Sequence, residues 1–189
     1  MIKSVLSVLF FFLITSQAVL SHGVHYEVQL KSELQVNDKK QLSAIKMTWL
    51  YDQEASKDLL KDQADLGILA KQLISDLERF YFFTQFEVGD RVLITSKVQD
   101  FDLKLLNVGD SSLLELTFTV PIKSKVEINS IKQIQFNHAD PTEMAIFYYD
   151  KPLDIVLADE LKQNCSAKVV EKTEFAEGEF PQIVTVNCM

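Results

Sequence analysis

The feature that most restricts the fold of this chain is a two-residue alternation of apolar and polar side chains over residues 24–36. The alternation stops at the turn-forming residues 37–40 and resumes over residues 42–50. Successive side chains of a β-strand point to opposite faces, so each segment can bury one face and expose the other. The pattern therefore predicts an opening β-hairpin whose apolar face belongs to a core.

After Asp52 the apolar residues change from the two-residue period of a strand to the spacing of a helix. The residues at this spacing are Leu59, Leu66, Leu69, Leu73, Ile74 and Leu77. Such spacing places their side chains on one face of a helix that packs against a core. Gly67 lies inside the run, and we expect it to separate a short first helix from a longer second one.

Short strand-like segments fill the rest of the chain. They cover residues 91–95, 97–106, 112–120, 131–137, 144–149, 154–157, 167–171 and 183–187. We expect Pro121 to end the third segment, because proline interrupts the hydrogen bonding of a central strand. Together the segments predict one α+β domain over residues 22–189, a mostly antiparallel β sheet or sandwich with an inserted helical segment.

Residues 1–21 have the composition of a secretory signal peptide. Lys3 supplies a positive charge, residues 5–14 are almost entirely apolar, and small or polar residues follow. The apolar run is too short to span a membrane comfortably, and the small residues fit cleavage after Ala18 or after Ser21. We therefore expect a periplasmic protein that is not embedded in the membrane.

The balance of charge restricts the class of partner. The chain has 19 Lys and Arg against 27 Asp and Glu, which gives a formal net charge of -8. Nucleic acid is not an expected partner, because binding it depends on clustered Lys and Arg that neutralise phosphates. An acidic protein is compatible with cationic ligands, metal ions included.

The only two cysteines, Cys165 and Cys188, lie near the end of the sequence. In an oxidising compartment an even pair most simply forms a disulfide, and we predict that bond here. The alternative, a thiolate metal site, requires further His or Cys donors at short spacing, and the sequence places none beside this pair.

The three histidines of the chain are the main candidates for metal ligands. His22 and His25 lie at the predicted mature N-terminus, where cleavage after Ser21 leaves His22 with a free α-amino group and an imidazole. Unprotonated nitrogens of this kind bind zinc, copper and nickel. The alternative interpretation is that both histidines are ordinary polar residues on a frayed terminus.

The third histidine, His138, lies with Asp140 where a predicted strand meets a turn that contains Pro141. If the strand that begins at His25 and the strand that ends at His138 are antiparallel neighbours, the two rings meet. His22, His25, His138 and Asp140 then form one zinc site. The alternative is that His138 and Asp140 serve only the turn, for which Asn, Asp and Pro are ordinary residues.

The motifs of common enzyme classes are missing from the sequence. It contains no nucleophile elbow, no P-loop, no glycine-rich dinucleotide turn and no His-Glu-x-x-His pair. We therefore expect a binding protein and not an enzyme.

Four segments, taken in order along the chain, resemble a bacterial family. They are residues 22–26, Trp49-Leu50-Tyr51-Asp52, Phe82-Phe83-Thr84 and Asp140-Pro141-Thr142. The chain resembles the ZevA-like periplasmic component of an uncharacterised ABC-type transport system, a family with a domain of unknown function. This resemblance implies a transition-metal-binding accessory protein, for zinc or alternatively nickel or cobalt, that supplies an inner-membrane metal permease. The alternative is a structural or interaction module without metal that partners a membrane transporter.

Overall fold

The fold is given by a computed structural model that describes residues 26–98, 100–140, 144–171 and 182–189. The strands are β1 (Tyr26–Val36), β2 (Gln41–Tyr51), β3 (Thr84–Val88), β4 (Arg91–Val92), β5 (Phe101–Val108), β6 (Ser111–Glu127), β7 (Gln133–His138), β8 (Ala145–Tyr148), β9 (Ile155–Leu157), β10 (Cys165–Glu171) and β11 (Gln182–Cys188). The helices are α1 (Gln53–Asp62), α2 (Leu66–Arg79) and α3 (Asp159–Lys162). Each strand-like segment predicted after the helical region overlaps one of these strands.

The first sheet is built around the predicted hairpin. Its strands lie in the order β5-β6-β2-β1-β8, and β9 also pairs with β1. β1 and β2 are antiparallel, with Leu30 opposite Trp49, which confirms the hairpin. β8 and β9 run parallel to β1 and are the exceptions to the antiparallel pattern.

The second sheet has the strand order β10-β11-β7-β3-β4. Its neighbouring strands are all antiparallel. The prediction of an α+β domain with mostly antiparallel strands and an inserted helical segment is confirmed.

The two sheets share one apolar core. Buried residues of the first sheet include Val28, Leu34, Met47, Trp49, Leu116 and Phe118, and those of the second include Phe86, Ile134, Phe136, Val184 and Val186. In β1, β6 and β7 these residues alternate with more exposed ones, so one face of each of these strands points inward. Burying each large apolar side chain stabilises the fold by about 1.5–3 kcal/mol.

Both longer helices begin at an aspartate that caps the first turn. The Ala55 N–H donates to Asp52 Oδ1 at 2.7 Å, and the Ile68 N–H donates to Asp65 Oδ1 at 2.9 Å. Replacing such a cap with alanine typically costs about 1 kcal/mol. None of the helices in the described ranges is both long enough and apolar enough to cross a membrane.

Two predicted boundaries are wrong. The helices separate at residues 63–65, so Gly67 is the second residue of α2 and does not mark the break. The start of α2 is fixed by the Asp65 cap and not by a glycine. Pro121 does not end a strand: β6 continues to Glu127, with a register shift on the facing strand near Ala44. Proline is tolerated at such irregular pairing.

The predicted disulfide is present. Cys165 and Cys188 are bonded and face each other at one end of the β10–β11 pair. The bond therefore joins the last strand of the chain to its neighbour at the edge of the second sheet.

Reduction of this disulfide should lower the free energy of unfolding by roughly 3 kcal/mol, because the bond closes a loop between residues 23 positions apart. Urea unfolding with and without a reductant measures the change. The double variant Cys165→Ser/Cys188→Ser is the control and should be equally destabilised but insensitive to the reductant. Equal unfolding midpoints for oxidised and reduced protein would contradict the prediction.

Candidate functional site

The predicted metal ligands fall into two groups. His22 and His25 lie outside the described residues, and their metal-binding role stays a prediction. His138 and Asp140 are described and buried, with 3% and 5% of their surface exposed. Across the described ranges, no group of three or more His, Cys, Asp or Glu side chains is arranged to hold a metal ion.

His138 is the last residue of β7 and lies opposite Thr84 of β3. It continues the buried positions of β7, because Ile134 and Phe136 precede it at two-residue spacing. Its ring packs among other rings with centroids 5.9 to 6.3 Å away, namely those of Trp49, Phe136, Phe147 and Tyr149. The imidazole therefore lies inside the core between the two sheets.

A chain of hydrogen bonds runs through His138 and joins the sheets. Nδ1 of His138 is 2.8 Å from Thr84 Oγ1, and Nε2 is 2.8 Å from Tyr149 Oη. Tyr149 Oη is in turn 2.8 Å from Ser32 Oγ. Thr84 and His138 belong to the second sheet, whereas Ser32 lies in β1 and Tyr149 directly follows β8. We call this set of four side chains the hydroxyl–imidazole chain.

The direction of these hydrogen bonds follows from the Phe82 carbonyl. Thr84 Oγ1 donates its single hydrogen to Phe82 O at 2.7 Å, so it accepts from His138. Nδ1 of His138 therefore carries the proton, and Nε2 accepts from the Tyr149 hydroxyl. Tyr149 in turn accepts from Ser32. Every donor along the chain points the same way, from Ser32 toward Phe82.

Burial keeps the His138 and Tyr149 side chains of the hydroxyl–imidazole chain uncharged. It lowers the pKa of His138 to about 3, although the Phe82 carbonyl acts in the opposite direction. Burial also raises the pKa of Tyr149, against the effect of the Ser32 hydroxyl. Both ring nitrogens of His138 have protein partners, so a metal could bind either nitrogen only after one hydrogen bond broke. The ligand role of His138 stays a prediction.

Asp140 holds the start of β8. Its Oδ2 accepts from the backbone N–H groups of Met144 at 3.2 Å and Ala145 at 3.0 Å. Ala145 lies opposite Tyr26 in the β1–β8 pair, and the Tyr26 N–H donates to Met144 O at 2.9 Å. Asp140 thus holds the backbone at the start of β8 and fixes the strand against which β1 begins.

The strand arrangement that we expected to bring His25 and His138 together is not observed. β1 is paired with β2, β8 and β9 in the first sheet, whereas β7 is paired with β3 and β11 in the second. β1 and β7 therefore lie in different sheets and are not antiparallel neighbours. The shared site itself stays a prediction, because His25 is outside the described residues.

Several carboxylates lie near the first described residue of β1. The Tyr26 hydroxyl donates to Asp58 Oδ2 at 3.0 Å, and the Glu27 N–H donates to Asp52 Oδ2 at 2.5 Å. The hydrogen bond to Asp58 raises the pKa of Tyr26, with smaller effects of burial and of the charges of Asp58, Glu54 and Asp52. Asp52 therefore caps α1 with one oxygen and binds β1 with the other.

The same negative charge reaches the neighbouring strand. Partial burial raises the pKa of Tyr148 in β8, and the charges of Glu27, Asp150 and Asp52 raise it further. We define the acidic surface as the five carboxylates of Glu27, Asp52, Glu54, Asp58 and Asp150. Its members lie near Tyr26 at the start of β1 or near Tyr148 in the neighbouring strand.

A left-handed aromatic turn leads into the hydroxyl–imidazole chain and was not predicted. Tyr81, Phe82 and Phe83 have φ angles of 52°, 56° and 49°. This region costs on the order of 1–2 kcal/mol per residue, and bulky side chains rarely adopt it. Thr84 Oγ1 binds the Phe82 carbonyl, and the Ala139 N–H donates to Phe83 O at 3.0 Å. One local contact and one contact remote in sequence thus hold the turn, and no local motif indicates it.

The fold and the site together define an α+β domain whose two sheets are joined by a neutral chain of hydroxyl and imidazole groups. Residues 7–184 match a family described as a protein of unknown function (DUF1007), and the chain belongs to this family. The match includes every described helix and reaches into the last strand. No curated protein matches the chain.

The low pKa of His138 predicts a specific loss of stability in acid. Between about pH 6.5 and pH 3 the unfolded chain binds a proton that the folded protein does not, so the free energy of unfolding falls as the pH falls. Between pH 7 and pH 5 the wild-type protein should lose about 2 kcal/mol more than His138→Gln. Urea unfolding at both pH values, with a chelator present, measures this difference.

The matched control is His25→Gln, which also removes an imidazole but leaves the hydroxyl–imidazole chain complete. It should keep the pH dependence of the wild-type protein. A direct NMR titration of the His138 ring serves as a second measurement if His138→Gln is poorly folded. A ring that titrates near pH 6.5 in the folded protein would contradict the assignment.

Proposed function

We propose that this protein is a periplasmic metal-binding accessory protein that supplies a transition metal to an inner-membrane metal permease. The metal is zinc in the first place, with nickel and cobalt as the alternatives. The donors are the imidazoles of His22 and His25 and the α-amino group that cleavage after Ser21 releases. The observation that carries the proposal is the position of Tyr26, which directly follows His25 in the sequence and lies near Asp52, Glu54 and Asp58 of the acidic surface.

The acidic surface supports the proposal through its charge. Tyr26 is fixed by its N–H bond to Met144 and by its hydroxyl bond to Asp58, so the preceding segment joins the domain at a defined place. Negative charge at that place raises the local concentration of a divalent cation. Carboxylate oxygens are also accepted ligands of zinc and can complete a site that has nitrogen donors.

The Cys165–Cys188 disulfide supports the compartment. Disulfides persist in oxidising environments such as the bacterial periplasm and are rare in the cytosol. The composition of residues 1–21 agrees with export, and the ZevA-like resemblance suggests a partner permease. These three observations support a metal transfer outside the cytoplasm.

His138 and Asp140 act indirectly in this proposal. His138 joins the two sheets, and Asp140 holds the start of β8, against which Tyr26 pairs. Both residues therefore help to hold β8, the strand with which Tyr26 pairs. The four-ligand site of His22, His25, His138 and Asp140 is the stronger form of the proposal and requires His138 to exchange a hydrogen bond for the metal.

A second candidate function is an interaction module that partners a membrane transporter without metal. It is favoured by the hydrogen bonds of His138 and Asp140, which already occupy the two predicted ligands that the structure describes. In this case the histidines of the N-terminal segment have no metal to bind, and the acidic surface contacts a cationic partner.

Zinc calorimetry of the processed protein tests the proposal. We expect one site with a dissociation constant on the order of micromolar or tighter at pH 7.5. His22→Gln/His25→Gln should weaken binding at least tenfold, and binding should also weaken below about pH 6 as imidazoles take up protons. Mass spectrometry of the mature N-terminus checks that His22 carries a free amine.

A matched pair of charge variants tests the acidic surface. Asp58→Asn should weaken zinc binding a few-fold, because Asp58 contacts Tyr26. Asp159→Asn is the control, since α3 follows β9 at the opposite end of β1. Binding no tighter than millimolar, or binding that survives loss of both His22 and His25, would contradict the metal proposal and favour the interaction module. A change in the NMR signals of the His138 ring nitrogens on zinc addition, and not weaker binding by His138→Gln alone, would support the four-ligand site.

A further inference from the structure

An apolar groove opens between the two sheets, away from the acidic surface. Its volume is about 380 Å³, within the range of small-molecule sites. Met47, Phe82 and Val120 form its floor and are buried. Tyr81, Val92 and Ile94 form its rim and have 76%, 63% and 65% of their surface exposed. Single exposed apolar residues are common, but three around one cavity indicate a ligand site.

The rim of the groove is held in place by backbone hydrogen bonds. The Leu93 N–H donates to Phe86 O at 2.8 Å, and the Lys123 N–H donates to Ile94 O at 2.9 Å. The segment that carries Val92 and Ile94 is thus fixed to β3 on one side and to β6 on the other. Its apolar side chains are therefore exposed although its backbone is held by hydrogen bonds on both sides.

The opposite wall is the left-handed aromatic turn. Tyr81 contributes to the rim and Phe82 to the floor, and both have positive φ angles. The Phe82 ring stacks on Phe118 with centroids 5.5 Å apart. Strained backbone of this kind tends to occur at ligand sites, where surrounding contacts over-determine it. Thr84 supplies such a contact through the Phe82 carbonyl.

Positive charge flanks the groove on both sides. One neighbouring depression shares Tyr81 and Phe82 with it, and the other shares Val92 and Leu93. The basic residues that line the two depressions are Arg79, Lys97 and Lys123 in the first and Arg91, Lys125 and Lys132 in the second. Glu78 and Asp90 are the carboxylates that line them, and Asp76 pairs with Arg79 at 3.4 Å. The basic side chains still outnumber these acidic ones beside the groove of an acidic protein.

We propose that the groove binds a single-chain anionic amphiphile, with the acyl chain between the sheets and the head group beside the basic side chains. The apolar floor accounts for the chain, because burying methylene groups is favourable by about 0.8 kcal/mol each. The flanking Lys and Arg account for the negative head, which is a carboxylate or a phosphate. This site shares no residue with the acidic surface and goes beyond the proposed metal function.

Calorimetry with dodecanoate below its micelle concentration tests the proposal on the full processed protein. We expect saturable binding of one molecule per chain. Dodecyltrimethylammonium has the same chain length and the opposite charge, so it should bind at least tenfold more weakly. Ile94→Glu places a charge at the rim and should weaken dodecanoate binding at least tenfold, whereas Val108→Glu makes a similar change at an exposed residue of β5 and should have no effect.

The head-group contact has its own pair of variants. Lys97→Gln/Lys123→Gln should weaken dodecanoate binding several-fold, and the exposed control Lys168→Gln should not. Equal binding by Ile94→Glu and Val108→Glu, or equal binding of the cationic amphiphile, would overturn the proposal. So would sedimentation with anionic phospholipid vesicles in the absence of monomeric dodecanoate binding, since that result indicates a membrane-docking surface. Zinc affinity should be unchanged in Ile94→Glu, which separates this site from the metal site.

Discussion

The way the two sheets face each other depends on the hydroxyl–imidazole chain of Ser32, Tyr149, His138 and Thr84. Apolar side chains tolerate many packings of similar volume, but a buried polar group is costly unless it is hydrogen-bonded. Each member of the chain is satisfied only when β1 and β7 face each other as observed. A slip of one residue in either strand would turn its polar side chain away from the interior. The hydroxyl–imidazole chain therefore selects one arrangement of the two sheets, whereas the apolar core alone would tolerate several.

Much of the fold could be predicted because burial leaves a periodic pattern in the sequence. The two-residue alternation identified the β1–β2 hairpin, and the helical spacing identified the α1–α2 region. The features that escaped prediction are fixed by partners distant in sequence. Pro121 is accommodated by the register of β2, and the left-handed turn is held at Phe83 by Ala139, which directly follows β7. A local pattern has no access to such contacts.

The candidate site was predicted in part for the same reason. The scarcity of histidine singled out His138 as a candidate metal ligand, a role that stays a prediction. Its two-residue spacing from Ile134 and Phe136 was a usable sign of burial. Its partners carried no comparable sign, because Ser and Thr are common and Ser32 is 117 residues from Tyr149. The sequence therefore indicates the imidazole but not the hydroxyl groups that form hydrogen bonds with its two nitrogens.

The formal charge of -8 conceals two surfaces of opposite sign. Carboxylates gather where β1 begins, and basic side chains gather beside the apolar groove. Electrostatic interactions between exposed charges fade beyond about 8 Å at physiological ionic strength, so a ligand responds to the charges near it and not to the total. The net charge thus agrees with the attraction of a cation to the acidic surface. It gives the wrong sign for the charge beside the apolar groove. Two ligands of opposite charge can therefore bind one acidic chain, provided that each surface is built from its own elements.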